Sequence, residues 1–188
     1  GSRITVDHEQ DNAGTTQREW SLVRNIQQIV DSGVSIFCGQ EAGKDFRKIL
    51  VEVLANSHPQ FRVLASGRTE DKDCGIIVYD SNKFTSAGDQ VVVQFSNGKK
   101  YIQVAHFQTP GNELFRVVNT HVPGGPVDGS AGREFLYSWL DNNNSGVADV
   151  LFGDFNFDTH QIAEELQARD SDWYSLCPNY RTHVDLSQ

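Results

Sequence analysis

The chain of 188 residues carries a formal net charge of −9, with 38% hydrophobic and 22% charged residues, which suits a soluble domain able to bury a substantial core. No apolar run approaches the roughly 20 residues that span a bilayer, and the acidic balance argues against coating nucleic acid through a broad basic surface. That charge still permits a local site at which a divalent ion meets a phosphate.

Gly1-Ser2 reads as a cloning scar, and the absence of methionine implies a native start elsewhere. Residues 3–188 hold no internal repeat, low-complexity tract or convincing linker, so one domain is the simplest account. Cys38, Cys74 and Cys177 are too few and too irregularly spaced for a disulfide framework or a thiolate zinc site. Cys38 lies in an apolar run and is expected to pack as a small hydrophobe.

In chain order, Arg3 to His8 reads as a first strand, and Thr15 or Thr16 could cap a helix running to about Asp31, with Leu22, Ile26 and Ile29 on one face. A strand from Val34 to Cys38 follows, then a helix from Lys44 to Ala55 with Phe46, Ile49, Leu50 and Val53 inward. The middle is β-rich: Phe61 to Ala65, Gly75 to Tyr79, Gln90 to Phe95, Lys100 to Phe107 and Leu114 to Val118. Asn97-Gly98 is a hairpin signal. Pro123 to Gly132 reads as an exposed Gly/Pro loop that either shapes substrate access or simply connects to a helix near Arg133 to Leu140. A last helix follows Asp158, with Ile162 and Leu166 at helical spacing.

The run Val150-Leu151-Phe152-Gly153-Asp154-Phe155-Asn156 is a short buried strand that ends in polar chemistry. Gly153 permits a sharp turn. Alternation would put Asp154 and Asn156 on one side, with Phe155 anchoring the other. A carboxylate beside a carboxamide suits a hydrated hard cation, and a plain Asx turn is the competing reading. Two other strands end similarly, in Gln40-Glu41 and in Asn119-Thr120-His121. Since ligands of open α/β sheets collect beyond the carboxyl ends of strands, three such endings suggest a shared site.

Taken together, Gln40-Glu41, Asn119-Thr120-His121 and Gly153-Asp154-Phe155-Asn156 resemble the endonuclease/exonuclease/phosphatase superfamily, with Gly75 to Asp80 and Asn82-Lys83-Phe84 resembling its central strand and following turn. The resemblance runs from Arg3 to about Asp185 and implies an α/β fold, a two-sheet sandwich. It implies that Glu41, Asp154 and Asp7 hold Mg²⁺ or Mn²⁺, with Asp7 standing where the family usually has asparagine. Trp20 and Arg24 match residues of the family's first helix. His121 would contact the phosphate or move a proton, and Asn156 would orient the attacking water or a phosphate oxygen.

The family's closing Asp strand and Ser-Asp-His segment have no match before Gln188, which implies truncation at the carboxyl end. Thr182-His183-Val184-Asp185 could supply the late histidine and aspartate, or could be an earlier Thr-His segment. The activity implied is that of a metal-dependent phosphodiesterase with a nucleic acid substrate, DNA or RNA. A phosphorylated lipid, as in sphingomyelinase-like members, and a binding module without hydrolysis are the alternatives. Lys44, Arg47 and Lys48, and separately Lys99 and Lys100, read as solvated basic faces. His58, His106 and His160 read as ordinary surface or packing residues.

Overall fold

The computed structural model describes residues 17–67, 74–96, 98, 100–125, 127–144, 146–170 and 172–173. Helix α1 (Gln17–Asp31) leads into strand β1 (Ile36–Ala42), helix α2 (Lys44–Ser57), strands β2 (Phe61–Ala65) and β3 (Cys74–Asp80), and the short strands β4 (Thr85–Ser86) and β5 (Val91–Gln94). Strands β6 (Tyr101–Gln108) and β7 (Leu114–His121), helix α3 (Asp128–Asn142), strand β8 (Ala148–Asp154) and helix α4 (Thr159–Arg169) complete it. Among the described residues, no helix is long and apolar enough to cross a membrane.

The strands form two sheets, one ordered β1-β3-β2 and the other β4-β6-β7-β8, with β5 also paired to β6. Among the described strands, only β7 and β8 run parallel. A parallel pair needs a crossover rather than a tight turn, and α3 provides it. Side-chain parity then sorts the strands into layers. On β3, Ile76 and Val78 join Val23, Ile26 and Val30 of α1 and Phe46, Leu50 and Leu54 of α2. The intervening Ile77 and Tyr79 instead meet Ala105, Phe107 and Val117 of the second sheet. On the far side, Ile102, Val104 and Val118 pack under Leu136, Tyr137 and Leu140 of α3 and Ile162 and Leu166 of α4. The result is a helix, sheet, sheet, helix sandwich, as expected from the sequence. Tyr79, Phe84, Phe107 and Phe115 form an aromatic cluster between the sheets. A fully buried ring such as Phe107 contributes about 1.5–3 kcal/mol.

Several boundaries differ from the sequence reading. The inward face of α1 is Val23, Ile26 and Val30, while Leu22 is 43% exposed, because the helix meets α2 one residue around its axis from the stripe read in the sequence. Strands β1 and β7 each continue three residues or more beyond their apolar runs, so Glu41 and His121 sit within strands rather than after them. On β7 the pairing with β6 continues unbroken through Asn119, Thr120 and His121, whereas on β1 it skips Gln40 and Glu41 and resumes with β3 at Ala42. The hairpin between β5 and β6 forms, with Gly98 at φ +67°, while Asn97 lies outside the described residues. Cys38 is half-buried, and desolvation pushes its thiol up to about 12, which leaves it unreactive at neutral pH. Arg47 is buried in α2 and so is no solvated basic residue.

One buried side chain stitches the two sheets together. Asn119 on β7 has no exposure. Its Nδ2 donates toward Gly39 O and Ile76 O of the first sheet, each at 3.2 Å, and toward Gln103 Oε1 at 3.1 Å, while its Oδ1 accepts from Gln40 Nε2 at 2.6 Å. Gln103 passes the chain onward to Gln90 Oε1 and Leu64 O. At the opposite end of β7, Arg116 pairs with Asp149 through both guanidinium arms and also donates to Asn143 O, which fixes the register of β7 against β8.

Gly153 serves that parallel pairing in a way the sequence reading missed: it sits inside β8, not at a turn. A Cβ there would lie 2.5 Å from Thr120 O and 2.6 Å from Thr120 Cγ2. Gly153→Ala is therefore expected to lower stability by about 2 kcal/mol or more, read as a lower urea midpoint. Asn119→Leu strands the Gly39 and Ile76 carbonyls without their donor and should lower the same midpoint by about 3 kcal/mol. An Asn119→Leu chain as stable as wild type would mean that the sheets are held by their apolar contacts alone.

Candidate active site

Parity along the strands brings the polar endings to one rim of the sandwich. Asn119 and His121 share the inter-sheet face of β7, and the parallel register sets His121 directly beside Asp154 of β8. Glu41 reaches the same place from the other sheet. Pairing of β1 with β3 is irregular between Gly39 and Ala42, and within that bulge Glu41 adopts φ +55°. The left-handed region costs a non-glycine residue about 1 kcal/mol or more, so the surrounding ladder has to hold it there. The neighbouring Gln40 to Asn119 hydrogen bond is part of that hold.

His121 is the buried member, with its side chain 3% exposed, while Glu41 and Asp154 are 61% and 49% exposed. Its Nε2 stands 3.7 Å from Glu41 Oε1 and 3.7 Å from Asp154 Oδ2. Both separations exceed a direct hydrogen bond, so the three groups face a common space rather than bonding one another. Tyr101, cross-strand from His121, meets the imidazole edge-on with centroids 6.2 Å apart and constrains its plane.

Asp154 also closes an Asx turn: its Oδ1 accepts from Asn156 N at 2.9 Å. The strand ends at Asp154 and Asn156 lies at φ +49°, so the expected alternation does not continue past the strand. The Asx turn of the competing reading forms, and Asp154 still faces His121. Asn156 instead folds toward the segment after His121, where its Nδ2 donates to Val122 O at 2.8 Å and its side chain lies against Gly124. Phe155 packs beneath α3 and α4 as an anchor. Asp158 caps α4 by accepting from the backbone of His160 and Gln161, which gives it a structural task.

Of the expected site residues, the structure brings together Glu41, His121 and Asp154 and places Asn156 beside them. Asp7, His183 and Asp185 lie outside the described residues. Sequence reasoning missed Lys100. It is no solvated face: its Nζ lies 3.1 Å from Glu41 Oε1, 2.6 Å from His121 Nε2 and 3.1 Å from His121 Nδ1. The available signal was its position, immediately before a strand whose pairing with β7 sets residue 101 opposite His121.

The donor set fits a hard divalent cation. Glu41 and Asp154 offer exposed carboxylate oxygens on either side of one space, and the Lys100 ammonium drawn against Glu41 shows that the rim attracts positive charge. Among the described residues, no group of three or more His, Cys, Asp or Glu side chains is placed to hold a metal ion. Mg²⁺ does not require one, because it keeps several waters and binds proteins through one or two carboxylates.

No family model matches the chain, and no curated protein matches its sequence. Solved structures do match in three dimensions. The human Nocturnin catalytic domain with bound sulfate superposes with a TM-score of 0.65 at 14% identity, over 83% of this chain and 63% of that one. TDP2 from D. rerio, complexed with a single-strand DNA product, gives 0.62 at 11% identity, over 79% and 59%. An endonuclease/exonuclease/phosphatase family protein from Bacteroides thetaiotaomicron gives 0.61 at 19% identity, over 82% and 59%. The chain thus spans less than two thirds of the length of each of these structures. At such identities the likeness is one of architecture: this chain has the endonuclease/exonuclease/phosphatase fold.

Proposed function

We propose that the chain is a divalent-metal-dependent phosphodiesterase acting on nucleic acid. The observation that carries this reading is the convergence of Glu41, His121 and Asp154, from both sheets, around one space at the sandwich rim. Glu41 and Asp154 would hold Mg²⁺ or Mn²⁺, with Asp7 as a further ligand. The ion, when bound, supplies a Lewis acid that polarises a phosphate oxygen and offsets developing negative charge.

The remaining work falls to the chain's own groups. His121 is buried and constrained by Tyr101, so its Nε2 keeps a fixed direction toward the phosphate, where it donates a hydrogen bond or accepts the proton of the attacking water. Asn156 uses one of its two amide hydrogens on Val122 O, which positions the rest of the carboxamide to orient that water or a phosphate oxygen. His183 and Asp185 enter this reading as further phosphate-side groups.

Nucleic acid is favoured over lipid on two grounds. The described loop after His121 is built of small residues and proline, with Val127 as its single exposed large apolar side chain, a poor surface for entering a bilayer. A neighbour of the same fold, TDP2 from D. rerio, was solved with a single-strand DNA product.

The test is Mg²⁺- or Mn²⁺-dependent cleavage of single-stranded DNA, duplex DNA, RNA, a phosphoinositide and sphingomyelin, with variants as controls. Wild type should cleave a nucleic acid, and Asp154→Ala and His121→Ala should each lower the rate about 100-fold or more. Glu41→Gln should raise the Mg²⁺ concentration for half-maximal activity, whereas His121→Ala should lower turnover with little change in that concentration. Equal rates for wild type and all three variants would sink the assignment. Binding without cleavage across the panel would point to a module that has lost hydrolysis.

A further inference from the structure

The site contains a cation of its own. Lys100 leaves the β5–β6 hairpin immediately before β6, and its side chain, 24% exposed, turns in among the polar groups of the rim. The ammonium contacts Glu41 Oε1 and both nitrogens of the His121 ring. His121 Nε2 faces Asp154 as well, so Lys100 and Asp154 approach the same imidazole nitrogen.

We propose that Lys100 is a resident cation that shares Glu41 with the divalent ion and thereby sets how tightly the site takes that ion. The inference rests on the reading of Glu41 as a metal ligand. An ammonium at 3.1 Å from Glu41 Oε1 is held against the same carboxylate that would ligate the metal. A divalent ion and an ammonium held at one carboxylate repel each other strongly, so metal entry is opposed until Lys100 withdraws. The work of displacing it appears as weaker metal affinity. The lysine stem is flexible and its charge compact, which makes a short withdrawal feasible without disturbing β6. The displaced charge stays tethered to the rim, where an acidic protein approaching an anionic phosphate gains from a positive group.

An ordinary surface ion pair, screened by solvent, would behave differently, since removing its lysine would leave metal binding nearly unchanged. Mn²⁺ titration followed by electron paramagnetic resonance reads this directly, without turnover. Wild type is compared with Lys100→Met, Lys100→Gln, Lys100→Arg and Glu41→Gln, each checked for folding by thermal unfolding. The two neutral variants should bind Mn²⁺ about tenfold more tightly, Lys100→Arg about as wild type, and Glu41→Gln more weakly. Two neutral chemistries guard against one of them failing to fold, and the arginine variant separates charge from packing. Unchanged or weaker binding in both neutral variants, alongside a weakened Glu41→Gln, would overturn the role of Lys100 and leave the metal reading standing. Mn²⁺ binding indifferent to Glu41→Gln would remove Glu41 as a ligand and overturn both.

Discussion

The meeting of the two sheets at the rim depends on the carboxamide of Asn119. Two sheets packed only through apolar side chains have many nearly equivalent offsets, because hydrophobic contact is non-directional. Asn119 removes that freedom by bonding two first-sheet carbonyls and Gln40 while also holding Gln103 of its own sheet. A buried amide left unpaired is costly, so any offset that breaks these bonds is penalised by several groups at once. The apolar layers supply the bulk of the stability, and Asn119, together with Gln103 reaching Leu64 O of the first sheet, selects the alignment.

That alignment is what makes a site out of separate strand ends. His121 lies two residues beyond Asn119 on the same face, and Glu41 lies one residue beyond Gln40. Fixing the Gln40 to Asn119 bond therefore fixes the approach of Glu41 to His121. Asp154 is located independently, by the parallel register of β7 and β8, which Arg116 and Asp149 lock at one end and the close contact of Gly153 with Thr120 permits at the other.

Much of this was legible in the sequence. Alternating and continuous apolar runs gave the strands their places, helical spacing gave α2 and α4, and the three polar strand endings pointed to Glu41, His121 and Asp154. What was not legible has specific physical causes. The extension of β1 and β7 through polar residues depends on partner strands that propensity cannot see. The inward face of α1 turned on which of two overlapping apolar stripes met α2. The reason for Gly153 is a neighbouring backbone, remote in sequence. Lys100 escaped notice because a lysine next to a turn is ordinarily a solvated charge, and only the cross-strand pairing of β6 with β7 carries it to Glu41.

The parallel unit of β7, α3 and β8 has a consequence for how the molecule assembles. Its strands meet across a separation of 33 residues, as between Arg116 and Asp149, whereas β1 reaches β7 across 79, as between Gln40 and Asn119. Closing the longer loop costs more chain entropy, by about 1 kcal/mol. His121 and Asp154 therefore belong to one relatively local folding unit, and Glu41 joins them only when the first sheet docks. Any ligand that needs both Glu41 and Asp154 binds the finished sandwich and not its halves, so its binding energy is added wholly to the docking of one sheet on the other.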